Sequence, residues 1–488
     1  MPALLGIDTL VHAEVQAHTL LGLRRFGAAD QERFAAASGD RNPLHLDPVA
    51  ARRTQAGERV VHGMHAVLWA LETLAEAGFL EPSLAALRVR FRKFMPLDRD
   101  LGLRLVDRDG PVLHAAVVTE GATTIAIQLE RGAPLSTGGS LSVQEIAMPD
   151  SPFAWSLEEL PGRSGLIPIR TVPALPAAFP RLATLIGRGR LATLARLSAL
   201  VGMVCPGLYS IFNELDIRIT EDTGGRALTF HVDEVDERFR LARMHVGGGG
   251  IEGTVTATVR HPPVLQPTLG DLRSRVRPGE FEAVAAFVIG GSRGLGAVTA
   301  RLIAAGGGRV ILTYAQGAQD AREVASEFEP AACQVVHYDA RAPAAQQLAG
   351  LKWPVNQLYY FATPPIFRQR RRHYAGDLFD EFCEIYLDGF ADICATLDAQ
   401  AEAGLTAFYP SSVAVSDRPA GMTEYAMAKA AGEVLCADLA RTLRGLRVVV
   451  NRLPRVLTDQ TAAGAATGAD PVAVMLPILR NMRARCED

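Results

Sequence analysis

The sequence predicts two regions of different class: an α+β front part and a rear part of α/β class with a doubly wound parallel sheet. Three observations carry that expectation. Up to residue 262, helical patterns are followed by runs of alternating strands. After 283, short apolar runs alternate with amphipathic segments such as AQDAREVASEFE. Between them, HPPVLQPTLGDLRSRVRPGEFEA over 261–283 is Pro-rich, charged and weakly periodic, and reads as a linker. The chain of 488 residues is too long for one core, so several domains are expected.

In the front part, ADQERFAAAS reads as a short amphipathic helix and VHGMHAVLWALETLAEAG as a longer, mostly apolar one. LAALRVRFRKF, LGLRLVDRD, PVLHAAVVTEG and TTIAIQLERG follow as strands joined by short turns. One helix followed by antiparallel strands suggests a curved sheet wrapped round a buried helix. The arrangement recurs: RLATLARLSALVGMV reads as a helix, and GLYSIFNELDIRIT, ALTFHVDEV, FRLARMHVGGG and IEGTVTATVRH as strands. This is read as a duplication of fold without a duplication of sequence. The Pro- and Leu-rich residues 146–180 are expected to bridge the copies. The expected boundaries are 1–145, 146–262, a linker over 263–282, and 283–488. In the last of these, AAFVIG, GRVILTY, QVVHYD, QLYYFA, TAFYPSS and LRVVVN are the expected parallel strands.

Composition excludes some classes. A net charge of −3 with 21% charged residues gives no electrostatic footprint for nucleic acid or an anionic membrane. No signal-peptide pattern opens the chain, and the most apolar run, LSALVGMVCPGLYSIF, contains Pro206 and Gly207 and falls short of a bilayer span. The six cysteines are dispersed without a C-x-x-C, so reduced thiols, a cytoplasmic location and no metal cluster are expected.

Two constellations carry chemistry. In SGDRNPLHLDP, Asp40 and His45 lie five positions apart among turn-forming residues. In VIGGSRGLGAVTARLIAAGG, Gly290, Gly294 and Gly296 follow an expected strand and open a helix. Glycines there let backbone approach a pyrophosphate at a helix N-terminus. Further on, SSVAVSDRPAGMTEYAMAK places Tyr425 and Lys429 four apart on one helix face, with Ser412 at a strand end. Of 50 basic residues only Lys93, Lys352 and Lys429 are lysine. A phenol near pKa 10 exchanges protons poorly at neutral pH, and a neighbouring ammonium favours the phenolate; arginine is differently shaped and not equivalent.

The rear constellation, over roughly 283–485, resembles the short-chain dehydrogenase/reductase family, which implies a Rossmann fold. The resemblance implies Tyr425 as proton donor to a carbonyl, Ser412 holding that oxygen, and Lys429 lowering the tyrosine pKa and binding the nicotinamide ribose. It implies cofactor contacts from Gly290, Ser292, Arg293, Gly294, Leu295, Gly296, Asp339 and Ala362, besides Tyr425 and Lys429. The expected second strand, GRVILTYAQG, ends without an acid for a ribose 2′-hydroxyl, and Arg293 is placed to meet a 2′-phosphate, so NADPH is preferred and NAD remains possible. The chain departs from the family at YFAT (Tyr360 to Thr363), at Tyr386 where a relay asparagine is usual, at Pro454-Arg455, and in lacking a clear seventh strand before Asp488.

The front stretch, extended to RFAAASGDRNPLHLDPVAARRT…VVHGMHAV, resembles the (R)-specific enoyl hydratase, or MaoC-like, family of hot-dog folds. By that resemblance Asp40 and His45 form the acid/base pair, and Gly63 offers its N–H to a thioester oxygen. Dehydrating a β-hydroxyacyl thioester needs a proton removed beside the carbonyl and a departing hydroxyl protonated, work that two titratable groups can divide. Asn42 is expected to fix the loop, and His62 and His65 to pack or start the helix. The second copy lacks G-D-x-N-P-x-H and is expected to lack chemistry. The full expectation is a double hot-dog domain followed by a Rossmann domain. The combined activity would be 3-oxoacyl thioester reduction and (R)-3-hydroxyacyl dehydration on acyl carrier protein or CoA thioesters, in fatty acid or polyketide assembly. The chain is expected to form a homo-oligomer, a dimer by analogy. The alternatives are an oxidative hydratase/dehydrogenase and an acyl-binding scaffold with one inactive domain.

Overall fold

The computed structural model describes residues 19–136, 143–221, 224–349, 351, 353–364, 366, 374–401, 404–458, 461 and 468–487. These fall into two compact units, one ending at Pro262 and the other beginning at Pro263, with Arg53–Gly57 counted in the second. No described helix is long and apolar enough to cross a membrane.

The first unit is built on one ten-stranded sheet. Its first half comprises β1 (Leu20–Arg25), β2 (Leu84–Phe91), β3 (Asp100–Asp109), β4 (Val112–Thr119) and β5 (Ala122–Arg131). Its second comprises β6 (Ser164–Pro168), β7 (Ser210–Ile219), β8 (Ala227–Asp236), β9 (Leu241–Gly248) and β10 (Ile251–Val259). The order β1-β3-β4-β5-β2-β7-β10-β9-β8-β6 is a topological palindrome in which β6 answers β1 and β7 answers β2. This antiparallel sheet, with its two long helices, is the hot-dog arrangement the sequence predicts. The seam is the antiparallel pair β2–β7, from Ala86↔Arg218 to Arg90↔Glu214. Arg88–Asp216 at 3.0 Å and Arg90–Glu214 at 3.1 Å pair opposite charges across it. Residues 146–180 are more than a bridge: 164–168 form the first strand of the second half, pairing with β8. That strand has only five residues and includes Pro168, tolerable because β6 is an edge strand.

Each half carries a long helix. After α1 (Ala28–Ser38) and the short α2 (Pro43–Leu46), α3 (Gly63–Glu76) is buried on nearly every face, as its all-round apolar sequence requires. Its one buried acid, Glu72, accepts the N–H groups of Arg181 at 2.9 Å and Leu182 at 2.7 Å in the first turn of α4 (Pro180–Ile186). A carboxylate there satisfies two N–H groups that have no partner within the helix. In the second half, α5 (Arg188–Ala199) runs on into a π-helical turn, Leu200–Val204.

The second unit has a six-stranded parallel sheet in the order β13-β12-β11-β14-β15-β16. The strands are β11 (Ala285–Ile289), β12 (Arg309–Tyr314), β13 (Cys333–His337), β14 (Gln357–Tyr360), β15 (Leu405–Ser412) and β16 (Leu446–Leu453). The order reverses between β11 and β14, the switch point where such sheets open a crevice at their carboxyl ends. Alternate residues of β11 serve opposite cores: Ala286 and Val288 on one face, Phe287 and Ile289 on the other. The sheet carries no seventh strand among the described residues. The segment expected as a linker is only partly one. Leu269, Leu272, Val276 and Phe281 are buried in this unit's core, so its rear half folds with the parallel sheet. Its Pro and Arg content hides those apolar anchors, which are spaced 3, 4 and 5 apart.

Candidate active sites

The Asp40 loop begins where α1 ends. Gly39 takes the left-handed conformation, φ 85°, which glycine adopts without strain. Asp40 is 2% exposed. One carboxylate oxygen accepts the Asn42 N–H at 3.1 Å and the other the Ser198 hydroxyl at 2.6 Å. Ser198 lies on α5, in the half that lacks the motif. Four residues on, Gly202 stands so close that a Cβ would lie 2.4 Å from the carboxylate. Asn42 caps α2 through its Oδ1, which accepts the Leu44 N–H at 3.1 Å, and donates from Nδ2 to the Gly202 carbonyl at 2.8 Å. It thus fixes the loop, as expected, and ties it to the second half.

His45 Nδ1 lies 2.8 Å from the Val60 carbonyl. A carbonyl accepts, so that nitrogen carries the proton and Nε2 is left as the base. Burial pushes the His45 pKa down, with Asp40 opposing, and pushes the Asp40 pKa up, with His45 and the Ser198 and Asn42 bonds opposing. Their pKa values thus move toward each other, which suits a pair exchanging protons near neutrality.

His62 does more than start a helix. It N-caps α3, stacks on the His45 ring at 3.8 Å between centroids, and places Nε2 3.1 Å from the Asp40 carbonyl. Its Nδ1 meets Gln31 Oε1 at 2.8 Å. Ligand atoms of Asp40, His45 and His62 lie within 4.8 Å of one another. Both His62 nitrogens already contact carbonyl oxygens, so metal ligation would require breaking one contact. His65 is a packing residue, stacked on Phe34 at 4.6 Å. Gly63 is the first residue of α3, where N–H groups have no intrahelical acceptor, and a Cβ there would lie 2.7 Å from the Phe91 ring. The second copy, which lacks the motif, pairs with the first in one sheet and lends Ser198 and Gly202 to the Asp40 surroundings. Neither falls in a motif, and the helix that carries Ser198, RGRLATLARLSA, mixes arginines, a threonine and the serine with its apolar residues, so nothing in it singles the serine out.

In the second unit, Gly290 (φ 72°) ends β11, and a Cβ on it would lie 2.9 Å from the Phe361 carbonyl and 3.3 Å from Ala362 N. The strand end bearing Ala362 thus abuts the glycine loop. Gly296, in the first turn of α7 (Gly294–Ala305; α6 is Leu269–Leu272), approaches the Gly290 carbonyl so closely that a Cβ would lie 2.3 Å away. Arg293 N-caps that helix without a side-chain capping bond, and Ser292 is buried beside it while Leu295 is half-buried. These side-chain-free surfaces fit a dinucleotide pyrophosphate: backbone can approach, and helix N–H groups face it. β12 ends at Tyr314 and is followed by Ala315, Gln316 and Gly317, so no acid stands there. Asp339 lies two residues beyond β13 rather than at its end, and its carboxylate accepts the Arg341 N–H at 3.0 Å.

Ser412 closes β15, and Tyr425 and Lys429 lie on α10 (Thr423–Thr442), with α8 (Gly376–Cys383) and α9 (Gly389–Asp398) preceding it. Ser412 Oγ accepts the Ala414 N–H at 3.1 Å and acts on the Tyr425 phenol closely enough to oppose the rise of its pKa. Lys429 is 5% exposed and donates to the Pro410 carbonyl at 2.7 Å. Its ammonium stands 3.7 Å above the Tyr386 ring and 6.0 Å from the Tyr425 ring. The Tyr386 hydroxyl meets Thr363 Oγ1 at 2.6 Å. Tyr386 occupies a π-helical turn, Glu384–Asp388, between α8 and α9, where Tyr360 donates to the Ile385 carbonyl at 2.6 Å. Burial pushes the Tyr425 pKa up, with Ser412 opposing, and burial pushes Lys429 down to about 7.

Comparison with known proteins finds relatives of both parts of the chain. The family described as MaoC like domain matches residues 7–127, and the family described as short chain dehydrogenase matches 284–470. An (R)-specific enoyl-CoA hydratase of Aeromonas caviae is 56% identical over 41 residues, 8% of this chain. The chain spans about a third of that curated relative, 31% of its length. Among solved structures, a dehydrogenase/reductase from Sinorhizobium meliloti 1021 aligns with 24% identity over 43% of this chain and 90% of its own, TM-score 0.38. A short chain dehydrogenase from Burkholderia cenocepacia J2315, in complex with NADP, aligns with 23% identity over 42% of this chain and 91% of its own, TM-score 0.37. The chain therefore joins a MaoC-like domain in its N-terminal part to a short-chain dehydrogenase-like domain in its C-terminal part.

Proposed function

We propose that the chain reduces 3-oxoacyl thioesters and dehydrates the resulting (R)-3-hydroxyacyl thioesters, within fatty acid or polyketide assembly. The observation that carries this reading is the coexistence of two proton-transfer sites, Asp40–His45 and Ser412–Tyr425, in domains whose product and substrate coincide. Asp40 and His45 divide the dehydration: one takes the proton from C2 and the other gives one to the departing C3 hydroxyl, so that water leaves. The Gly63 N–H, at a helix start, stabilises the developing enolate oxygen.

In the reductase domain, NADPH supplies a hydride when bound. Tyr425 gives its proton to the carbonyl oxygen, Ser412 holds that oxygen, and Lys429 steadies the ribose. Arg293, together with the missing acid after β12, supports NADPH over NADH. The glycine loop, Asp339 and Ala362 supply the remaining cofactor contacts. The carrier is CoA or acyl carrier protein, the setting the cytoplasm, and the working form a homodimer. Incubation with acetoacetyl-CoA and NADPH, followed by mass analysis, tests the reading. Hydroxybutyryl and crotonyl products are expected. Tyr425→Phe should stop NADPH consumption, and Asp40→Asn should stop only the second product. Turnover with NADH alone, or none with folded protein, would overturn it.

A further inference from the structure

One buried charge in the first unit has no role in the chemistry above. Arg196 lies on α5, two residues before Ser198, and is 5% exposed. Among the described residues its guanidinium makes no hydrogen bond and no ion pair. It rests against the Asp40 loop: a Cβ on Gly39 would lie 2.4 Å from its Nη1 and 3.8 Å from Met148 Cε. Burial pulls its pKa down, and the nearby guanidinium of exposed Arg170, which makes no hydrogen bond or ion pair among the described residues, adds to the effect. The C-terminal end of α1, whose dipole carries a fraction of a negative charge, lies beside it. Two like charges meet where one is already buried without a partner. An apolar residue of similar volume would be less costly, so this arrangement is a standing loss of stability. An anion bound between the two guanidiniums removes that loss.

The position says which anion. Gly63 lies at the thioester carbonyl and Asp40 at the reacting carbons, so the acyl chain beyond C3 leaves on the Asp40 side. That side is walled by α5, through Ser198, and by the π-helical turn that continues it, through Gly202. We propose that Arg196 and Arg170 form an oxyanion subsite for a carboxylate at the distal end of the acyl chain, making the substrates half-thioesters of dicarboxylic acids. This deepens the dehydratase reading and rests on it.

The test compares hydration of 2-enedioyl-CoA thioesters of five to eight carbons with monocarboxylic enoyl-CoA thioesters of equal length, in the wild type and in Arg196→Met. At least one diacid is expected to exceed its monoacid about tenfold in kcat/KM, and Arg196→Met should lower that ratio about tenfold. No diacid preference, or an unchanged ratio in the variant, would overturn the proposal. So would a loss seen with CoA thioesters and absent with N-acetylcysteamine thioesters, which would assign the anion to the carrier's phosphate. A second readout does not depend on turnover. Free glutarate to octanedioate should raise the wild-type Tm and leave that of Arg196→Met unmoved, while the variant alone melts no lower than the wild type. If no thioester is hydrated, the dehydratase reading falls, and the dicarboxylate Tm shift alone decides the subsite.

Discussion

Asp40 gains two hydrogen bonds from its surroundings, and the shorter comes from outside its own motif. Ser198 donates at 2.6 Å to a carboxylate that burial drives toward its neutral form. Removing that donor leaves the charged form worse solvated, so Ser198→Ala should raise the Asp40 pKa further. If ionised Asp40 is the working form, the acidic limb of the hydration pH profile moves up. A bond to a charged group is worth ~1.5–3 kcal/mol, or roughly 10- to 150-fold in rate at a fixed pH on that limb. Ser198→Thr, which keeps the hydroxyl, should restore the profile, whereas a merely structural serine would change the Tm and leave the limb in place. His65 offers a second test, of stability. Burial holds its pKa near 3 against an ordinary 6.5, with Arg24 adding to the effect. The unfolded chain therefore binds a proton that the fold refuses. Stability is whole above pH 6.5 and is lost as pH falls toward 3. Its Nδ1 has no partner and its ring stacks on Phe34, so phenylalanine fits the same place. At about pH 5, His65→Phe should stabilise the fold by about 2 kcal/mol relative to its effect at about pH 8. An equal effect at both values in urea unfolding would refute this account.

At the level of elements, legibility followed pattern length. α3 and α10 were readable because apolar spacing or a Tyr-x-x-x-Lys pair runs through them, and every central strand had a period-two or continuous apolar run. β1 and β6 escaped because each is a short edge strand, of six and five residues, with little buried surface to impose a pattern. The Asp40 motif was legible since one loop holds it; Ser198 and Gly202 were not, since they reach the site only through tertiary packing 158 and more residues away. The π-helical turn around Tyr386 was equally hidden, because a tyrosine there reads as core. The glycine loop shows what a legible element can be asked. Gly296→Ala would push a methyl to 2.3 Å from the Gly290 carbonyl, forcing the start of α7 away from β11. NADPH affinity, measured by fluorescence titration, should fall at least about tenfold, while crotonyl-CoA hydration stays at the wild-type rate. Unchanged NADPH affinity would remove the loop from the cofactor site.

Over the whole molecule, a duplicated antiparallel unit and a parallel unit each bury a separate core, so each site is positioned by its own sheet. The duplication has a chemical use. One half carries the Asp40 loop, and the other, which lacks that motif, contributes the wall against which the carboxylate is held. Such a division predicts independence between the reductase and dehydratase chemistry. An Asp40→Asn chain should still make the 3-hydroxyacyl thioester, and a Tyr425→Phe chain should still dehydrate it. Mixed in equal amounts with a 3-oxoacyl thioester and NADPH, the two inactive variants should together form the enoyl product. It should appear after a lag that shortens as either variant is increased, because the intermediate must leave one chain and enter another. The restored flux also reports stereochemistry. An (R)-specific dehydratase accepts one alcohol, so complementation requires the reductase to deliver the hydride to the matching face. Accumulation of a 3-hydroxyacyl thioester that the Tyr425→Phe chain leaves untouched, when it consumes synthetic (R)-alcohol readily, would show that the two activities do not belong to one sequence of reactions.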